Sequence, residues 1–471
     1  MPAAAAPDPA PSLAAARRRA VSGFTLYDVA NSAFVTTVVT AVGGPFLTAL
    51  AEAAAGDDGR LDLLGLAPRA GAVFAYAVSL SVLLQVLALP LLGALADRPA
   101  AKRRVLVAGT WTGSAAALLL AAAPGPLVGL AAFVVANVAY GSAILVYNAY
   151  LADVAEPADR HRVSARGFAF GYAGGGFVLA LALALLTAAG PLGLDRAVAV
   201  RLAIAGSALW WLALGLVAVR RLDAARLLPW AQPVDAAREP LAQQVRGSLR
   251  QLRGSLTALR RLPGTLRFLV AFLLFNDAIQ AVVALSAVVL TQELFVAQGQ
   301  GAEDATPFLL QLVLLIQMVA IVGATVCGRL AERIGGKRTL LLTLAIWVGV
   351  VLYAVLALET TAQAYVMGAV IALVLGGSQS VARSLFSQMV PDARQSSFFG
   401  FYELAERGTA WVGTLVFAVV LDVTGSYRGA LLSLLALFAA GGLLLAATDT
   451  DAAVQAAQEA DADALAARTA A

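Results

Sequence analysis

The chain alternates long apolar runs with short polar breaks, and the runs are near the ~20 residues that a helix needs to cross a hydrocarbon core of roughly 30 Å. They fall near Phe24 to Leu50, Ala70 to Leu95, Val105 to Ala123, Leu127 to Leu151, Gly167 to Ala189 and Ala197 to Val219. After a polar stretch they resume near Leu266 to Leu290, Phe308 to Leu330, Leu340 to Leu358, Ala362 to Met389, Phe398 to Leu421 and Gly429 to Ala447. The pattern predicts an all-α membrane protein with about twelve transmembrane helices in two sets of six.

Composition agrees: 60% of the residues are hydrophobic and 13% charged, with a mean hydropathy of +0.82. No soluble domain hides that much apolar surface. The expected units are a cytoplasmic N-terminal segment (1–22), a first bundle (23–219), a basic linker (220–264), a second bundle (265–447) and a C-terminal tail (448–471).

Charge sets the orientation, because short loops rich in Lys and Arg stay on the cytoplasmic side. Arg17, Arg18 and Arg19 precede the first span, Arg98, Lys102, Arg103 and Arg104 follow the second, Arg160, Arg162 and Arg166 the fourth, and Arg329, Arg333, Lys337 and Arg338 the eighth. The alternate loops are acidic, with Glu52, Asp57, Asp58 and Asp62 after the first span and Glu293, Glu303 and Asp304 after the seventh. Both termini are therefore expected in the cytoplasm of a bacterium, with the chain in its plasma membrane. The first apolar run is too long and too dotted with polar residues for a cleaved signal, and stays as helix one.

The linker carries nine arginines, ten if Arg267 is counted, against Asp223, Asp235 and Glu239. Within it Val245, Leu249, Leu252, Leu256 and Leu259 recur at helical spacing beside Arg246, Arg250 and Arg253. This reads as a basic amphipathic helix on anionic headgroups, or as a solvated linker helix. The pI of 9.4 follows from arginines placed by topology, so no nucleic-acid partner is implied. The tail after Asp449 reads as disordered or weakly helical. Cys327 and His161 are the only residues of their types, so neither a disulfide nor a Cys-based metal site forms within one chain, and no metal or cofactor is expected. No Ser/His constellation or phosphate-cradling glycine loop argues for an enzyme. Trp111, Trp230 and Trp347 fall near expected interfaces.

A repeat links the halves. Gly93-Ala94-Leu95-Ala96-Asp97-Arg98 with Lys102-Arg103-Arg104 follows the second span, and Gly328-Arg329-Leu330-Ala331-Glu332-Arg333 with Gly335-Gly336-Lys337-Arg338 follows the eighth. A small residue lets a helix end approach its neighbour, while the charges can latch helices in one state and release them in another. Gly93, Asp97, Arg98, Gly328, Glu332 and Arg333 are thus candidate gating residues. The two copies resemble the signature of the major facilitator superfamily, although Pro99-Ala100-Ala101 stands where the first copy should have glycine.

Further stretches resemble the vacuole-effluxer-like family within that superfamily. They are Tyr27-Asp28-Val29-Ala30-Asn31-Ser32-Ala33-Phe34, Tyr147-Asn148-Ala149-Tyr150-Leu151-Ala152-Asp153, Arg162-Val163-Ser164-Ala165, Gly171-Tyr172, Asn276-Asp277, Gly376-Gly377-Ser378-Gln379, Arg383-Ser384-Leu385-Phe386 and Phe398-Phe399-Gly400-Phe401-Tyr402. The resemblance covers roughly Gly23 to Ala447. It implies a major facilitator fold of two pseudo-symmetric six-helix bundles, alternating access and, from fungal members, export of amino acids from a storage compartment.

The residues point to a site on their own account, because polar groups inside spans are expensive and face a bundle interior or a water-filled cavity. Asp28, Asn31 and Ser32 share one face of helix one with Thr36, and Asn276, Asp277 and Gln280 share one face of helix seven. A carboxylate there is either a proton carrier or a structural group satisfied by backbone or arginine. Arg383 in helix ten pairs with Glu403 or Glu406 of helix eleven, or binds a substrate anion. Tyr147, Asn148 and Gln379 add hydrogen-bonding capacity, while Gly167, Gly171, Gly174, Gly175 and Gly176 suit close helix packing. The expected partners are a small polar solute, amino acids being one candidate class, with or without protons, and membrane lipids, for a monomeric carrier. A lipid or lysophospholipid flippase and a drug exporter of the same fold are the alternatives.

Overall fold

The computed structural model describes residues 12–469 except 63–64, 97–98, 156–159, 230–245, 248–249, 251–256, 258, 391–401 and 403–410. In the first half α1 (Leu13–Ala33) runs through a π-helical stretch (Phe34–Val42) into α2 (Gly43–Ala53). There follow α3 (Val73–Ala96), α4 (Pro99–Ala121), α5 (Pro126–Ala149), the short α6 (Leu151–Val154), α7 (Arg160–Ala188) and α8 (Arg196–Leu222). The second half holds α9 (Pro263–Leu294), α10 (Thr306–Ile334), α11 (Gly336–Leu356), α12 (Thr361–Gln388), α13 (Val412–Thr424), α14 (Tyr427–Ala447) and α15 (Thr450–Thr469). Among the described residues 11 helices are long and apolar enough to cross a membrane, and Val412–Thr424 is a shorter apolar one. No strand occurs among them, and one isolated bridge pairs Arg60 with Arg69.

Several helices outrun the apolar runs at their arginine-rich ends. The first starts at Leu13, capped by Ser12, whose hydroxyl accepts the Ala15 amide; α4 starts at Pro99, α7 at Arg160, and α10 ends at Ile334. Hydropathy reports only the apolar window, whereas Ala, Arg, Lys and Glu are good helix formers and carry the backbone helix onward. Residues 13–22, expected to lie outside helix one, are therefore part of it.

In the first half α1 lies against α7 and α8, α4 against α5 and α8, and α3 against α5. In the second, α9 lies against α14, α10 against α12, and α11 against α12 and α14. The halves meet where α2 and the π-helical stretch pack on α9, where α3 packs on α13, and where α7 packs on α10. Close approach is bought by small residues. A Cβ at Gly174 of α7 would stand 2.7 Å from Val29 Cγ1, and one at Gly441 of α14 would stand 2.9 Å from the Phe275 amide nitrogen.

Of the two readings of the tail after Asp449, the helical one holds over Thr450–Thr469 (α15), where the Asp449 carboxylate accepts the Asp451 and Ala452 amides at 3.1 and 3.0 Å as an N-cap. Its Ala453 and Ala457, one turn apart, are buried, and Ala453 packs onto Gly264 at the start of α9. Trp347, expected near an interface, is not exposed on the outside of the bundle. It is fully buried, with its ring 6.1 Å from Phe438 of α14. Trp111 is half exposed, and Trp230 lies outside the described residues. Of the linker's expected amphipathic helix, the positions Val245, Leu249, Leu252, Arg253 and Leu256 also lie outside them.

Candidate functional site

Asp28 sits on α1 nine residues beyond Arg19, a helical rise of about 13 Å. Its Oδ2 accepts the Tyr147 hydroxyl of α5 at 2.7 Å, and that hydroxyl also lies 3.0 Å from the Phe24 carbonyl. Tyr147 is itself buried and held from both sides: its ring stacks on Phe24 at 4.5 Å and on Tyr27 at 4.9 Å. Tyr27 is anchored in turn to Thr110 of α4 at 2.9 Å. Since Thr110 gives its proton to the Leu106 carbonyl, Tyr27 is the donor of that bond.

The other side of Asp28 is walled by glycine. A Cβ at Gly167 would overlap Asp28 Oδ2, and one at Gly171 would lie 3.0 Å from Ser32 Oγ and 3.3 Å from Asp28 Cβ. One at Gly175 would lie 3.0 Å from Thr36 Cγ2. The polar face of α1 thus rests on a groove in α7 that any side chain would fill. Asp28 and Ser32 are half-buried and Asn31 is buried. No cation among the described residues pairs with Asp28, so a Tyr hydroxyl is the strong polar contact of its carboxylate.

The helix-seven face is built differently. Asp277 of α9 is buried, and its Oδ2 accepts the Gly413 amide at 2.8 Å in the first turn of α13. A carboxylate placed there satisfies one of the amides that a helix start leaves open and meets the positive end of its dipole. Asp277 Oδ1 is buried with no hydrogen-bond partner among the described residues. Asn276 is buried and Gln280 half-buried.

The remaining candidates are scattered. Asn148 is exposed; one residue along α5 turns it about 100° away from the Tyr147 direction. Gln379 is half-buried on α12. Arg383 is not deep inside its helix: it stands exposed five residues before the end of α12, its guanidinium 6.0 Å from the Tyr402 ring centre. Glu403 and Glu406, its expected partners, lie outside the described residues, as do Asp97 and Arg98 of the first gating loop. Gly93 is within α3. In the second loop Gly328 is half-buried, while Glu332 and Arg333 are exposed in the last turns of α10. Gly335 then turns the chain at φ 89°, a conformation that favours glycine.

The basic runs do more than mark topology. Lys102 is buried and pairs with Asp153 at 2.7 Å, and Arg103 pairs with Asp223 beyond α8 at 2.8 Å. In the second half Lys337 donates to the Ala446 and Thr448 carbonyls at 2.9 and 2.8 Å, at the end of α14. Each half so ties its third membrane helix to the close of its sixth, with cations set where helix carboxyl ends favour them. Orientation alone accounts for the cations in the sequence, whereas their partners Asp153 and Asp223 are acids in otherwise basic stretches.

The helix order and packing define the major facilitator fold. Solved structures superpose along almost the whole chain. A bacterial homologue of the iron transporter ferroportin in an inward-facing state matches with a TM-score of 0.63 at 14% identity, over 92% of this chain and 98% of that one. The nucleoside transporter NupG matches with a TM-score of 0.55 at 13% identity, over 93% and 98%. Within that fold the chain belongs to the family described as "Vacuole effluxer Atg22 like", which matches residues 16–458. The uncharacterized MFS-type transporter YxiO of Bacillus subtilis (strain 168) is 28% identical over 429 residues, covering 90% of this chain and 94% of that protein. Autophagy-related protein 22-2 of Emericella nidulans is 24% identical over 303 residues, 57% of this chain and 47% of that protein. The chain thus spans the length of the bacterial relative and about half the length of the fungal one.

Proposed function

We propose that the protein is a secondary transporter that carries a small polar solute across the plasma membrane by alternating access, with Asp28 as the group that takes up a proton or a substrate ammonium. The single observation that supports it is the setting of Asp28. It is a half-buried carboxylate within a membrane helix, held by a buried tyrosine hydroxyl and facing no described cation. A group so placed marks an ion or substrate path. Residues 23–219 and 265–447 act as the two rocking units, with the termini in the cytoplasm and one chain as the working carrier.

Amino acids are the solute class we favour. Asp28 offers a site for an ammonium group, and the exposed Arg383, flanked by exposed Ser380 and Ser384, offers one for a carboxylate. Asn31, Ser32, Gln280 and Gln379 supply hydrogen bonds. The direction follows the imposed gradient, as in any carrier whose coupling is reciprocal.

The test is uptake of a labelled amino-acid panel into proteoliposomes with and without an imposed pH gradient, comparing the intact protein with Asp28→Asn and Asp277→Asn. Gradient-driven accumulation that disappears in Asp28→Asn supports the reading. Equal accumulation in Asp28→Asn removes Asp28 from the coupling. An absence of flux for every amino acid overturns the substrate class, and labelled lysophospholipid and drug panels are then the next comparison.

A further inference from the structure

The end of the molecule opposite the arginine-rich loops carries polar contacts between the halves. Asp422, at the end of α13, is their hub. Its Oδ1 accepts the Arg69 backbone amide at 2.7 Å, its Oδ2 accepts the Tyr76 hydroxyl at 3.3 Å, and its carbonyl accepts Arg69 Nε at 2.8 Å. Arg60 Nη1 stands 3.6 Å from the same carboxylate. All four donors come from the first half. The segment that presents them is itself shaped by backbone bonds. The Leu61 amide donates to the Pro68 carbonyl at 2.9 Å, the Ala70 amide to the Gly59 carbonyl at 3.0 Å, and Arg60 pairs with Arg69 in the isolated bridge.

The fit around the hub is close. Gly425 has φ 70°, and a Cβ on it would stand 3.1 Å from Arg69 Cζ; a Cβ on Gly71 would overlap the Tyr427 hydroxyl. Two more polar pairs cross between the halves at the same end. Gln292 donates to both Glu52 oxygens at 3.0 and 3.2 Å, and Arg196 pairs with Asp304. One level deeper, Ser79 donates to the Trp411 carbonyl at 2.9 Å.

We propose that Asp422 forms a clasp with Arg60, Arg69 and Tyr76 that holds this end shut, and that releasing Asp422 is the step that opens it. The loss on release is large enough to matter because one carboxylate collects charge-assisted bonds that no single exchange with the bulk replaces. It is small enough to be reversible because Asp422 and Arg60 remain partly exposed to solvent, where water re-forms the bonds at modest cost. The clasp rests on the alternating-access reading above, but its test reads conformation and needs no substrate.

Spin labels at Leu192→Cys and Glu359→Cys, exposed positions on the two halves at this end, in a Cys327→Ser background, report the gap by pulsed dipolar spectroscopy. The intact protein should show mainly one short distance. Asp422→Asn keeps the shape and removes the charge, and should raise a longer-distance population several-fold; Arg69→Ala, which alters the partner half instead, should do the same, and Asp422→Glu should fall between. Identical distance distributions in the intact protein, Asp422→Asn and Arg69→Ala would overturn the clasp. Widened distances in a protein that moves no amino acid would keep the clasp and remove the substrate class instead.

Discussion

Asp28 and Asp277 occupy comparable places on the first helix of each half, yet their surroundings differ. Asp277 is buried and bound to the Gly413 amide at the start of a helix, a contact whose value lies in keeping α9 and α13 together. Asp28 is half-buried, and the hydroxyl that holds it belongs to a side chain locked between two aromatic rings. A backbone amide cannot move away without unwinding its helix, while a Tyr hydroxyl can turn to another acceptor. The same residue type thus meets a backbone amide in one half and a side-chain hydroxyl in the other, and on the function proposed above only the second is free to exchange its partner. Pseudo-symmetry of sequence does not carry over into symmetry of contacts.

Four substitutions break or sharpen this contrast. The largest effect is expected for Asp28→Asn, which should lower gradient-driven accumulation by a factor on the order of tenfold, within the range typical of coupling free energies, while leaving thermal stability near that of the intact protein. Gly167→Ala comes next. Its Cβ would overlap Asp28 Oδ2, so flux should fall and the overpacking should lower stability by about 1–3 kcal/mol, measured as the melting temperature in detergent. Asp277→Ala reverses the pattern. Losing a partner of a helix-start amide costs about 1 kcal/mol or more, so the melting temperature should drop while flux per folded molecule is retained. A fall in flux without a fall in stability would instead place Asp277 in the transport path. The smallest effect is that of Tyr147→Phe, which keeps both ring stacks and removes one hydrogen bond. About 1 kcal/mol is at stake, so uptake should change about fivefold and its pH dependence should shift, with the fold retained and a fall in melting temperature no larger than that of Asp277→Ala.

Helix existence was readable because a bilayer demands apolar length, and eleven of the expected spans coincide with long apolar helices while the remaining one is represented by Val412–Thr424. Helix ends were less readable. Leu13 to Ser22 and Arg160 to Arg166 are helical without being apolar, so hydropathy is silent there. The polar faces of α1 and α9 were visible from spacing, but Tyr147 and Gly413 as their respective partners were not. They lie 119 and 136 residues away in the chain, and only packing chooses between the many hydroxyls and amides available. The π-helical stretch Phe34–Val42 had no signature either, since its residues are ordinary apolar and threonine positions.

The sequence alone determined that this is a membrane-embedded bundle of helices, repeated in two halves, with rare polar groups on defined helix faces. Each of those facts is a local consequence of hydropathy, spacing and charge, and needs no knowledge of neighbours. The tertiary structure decided which carboxylate is tied to a backbone and which to a side chain. It also seated the loop after the first span against Asp422 and turned the cationic runs inward onto helix ends. These depend on the distance between groups far apart in the chain, and a hydrogen bond or ion pair exists only when that distance closes to about 3 Å.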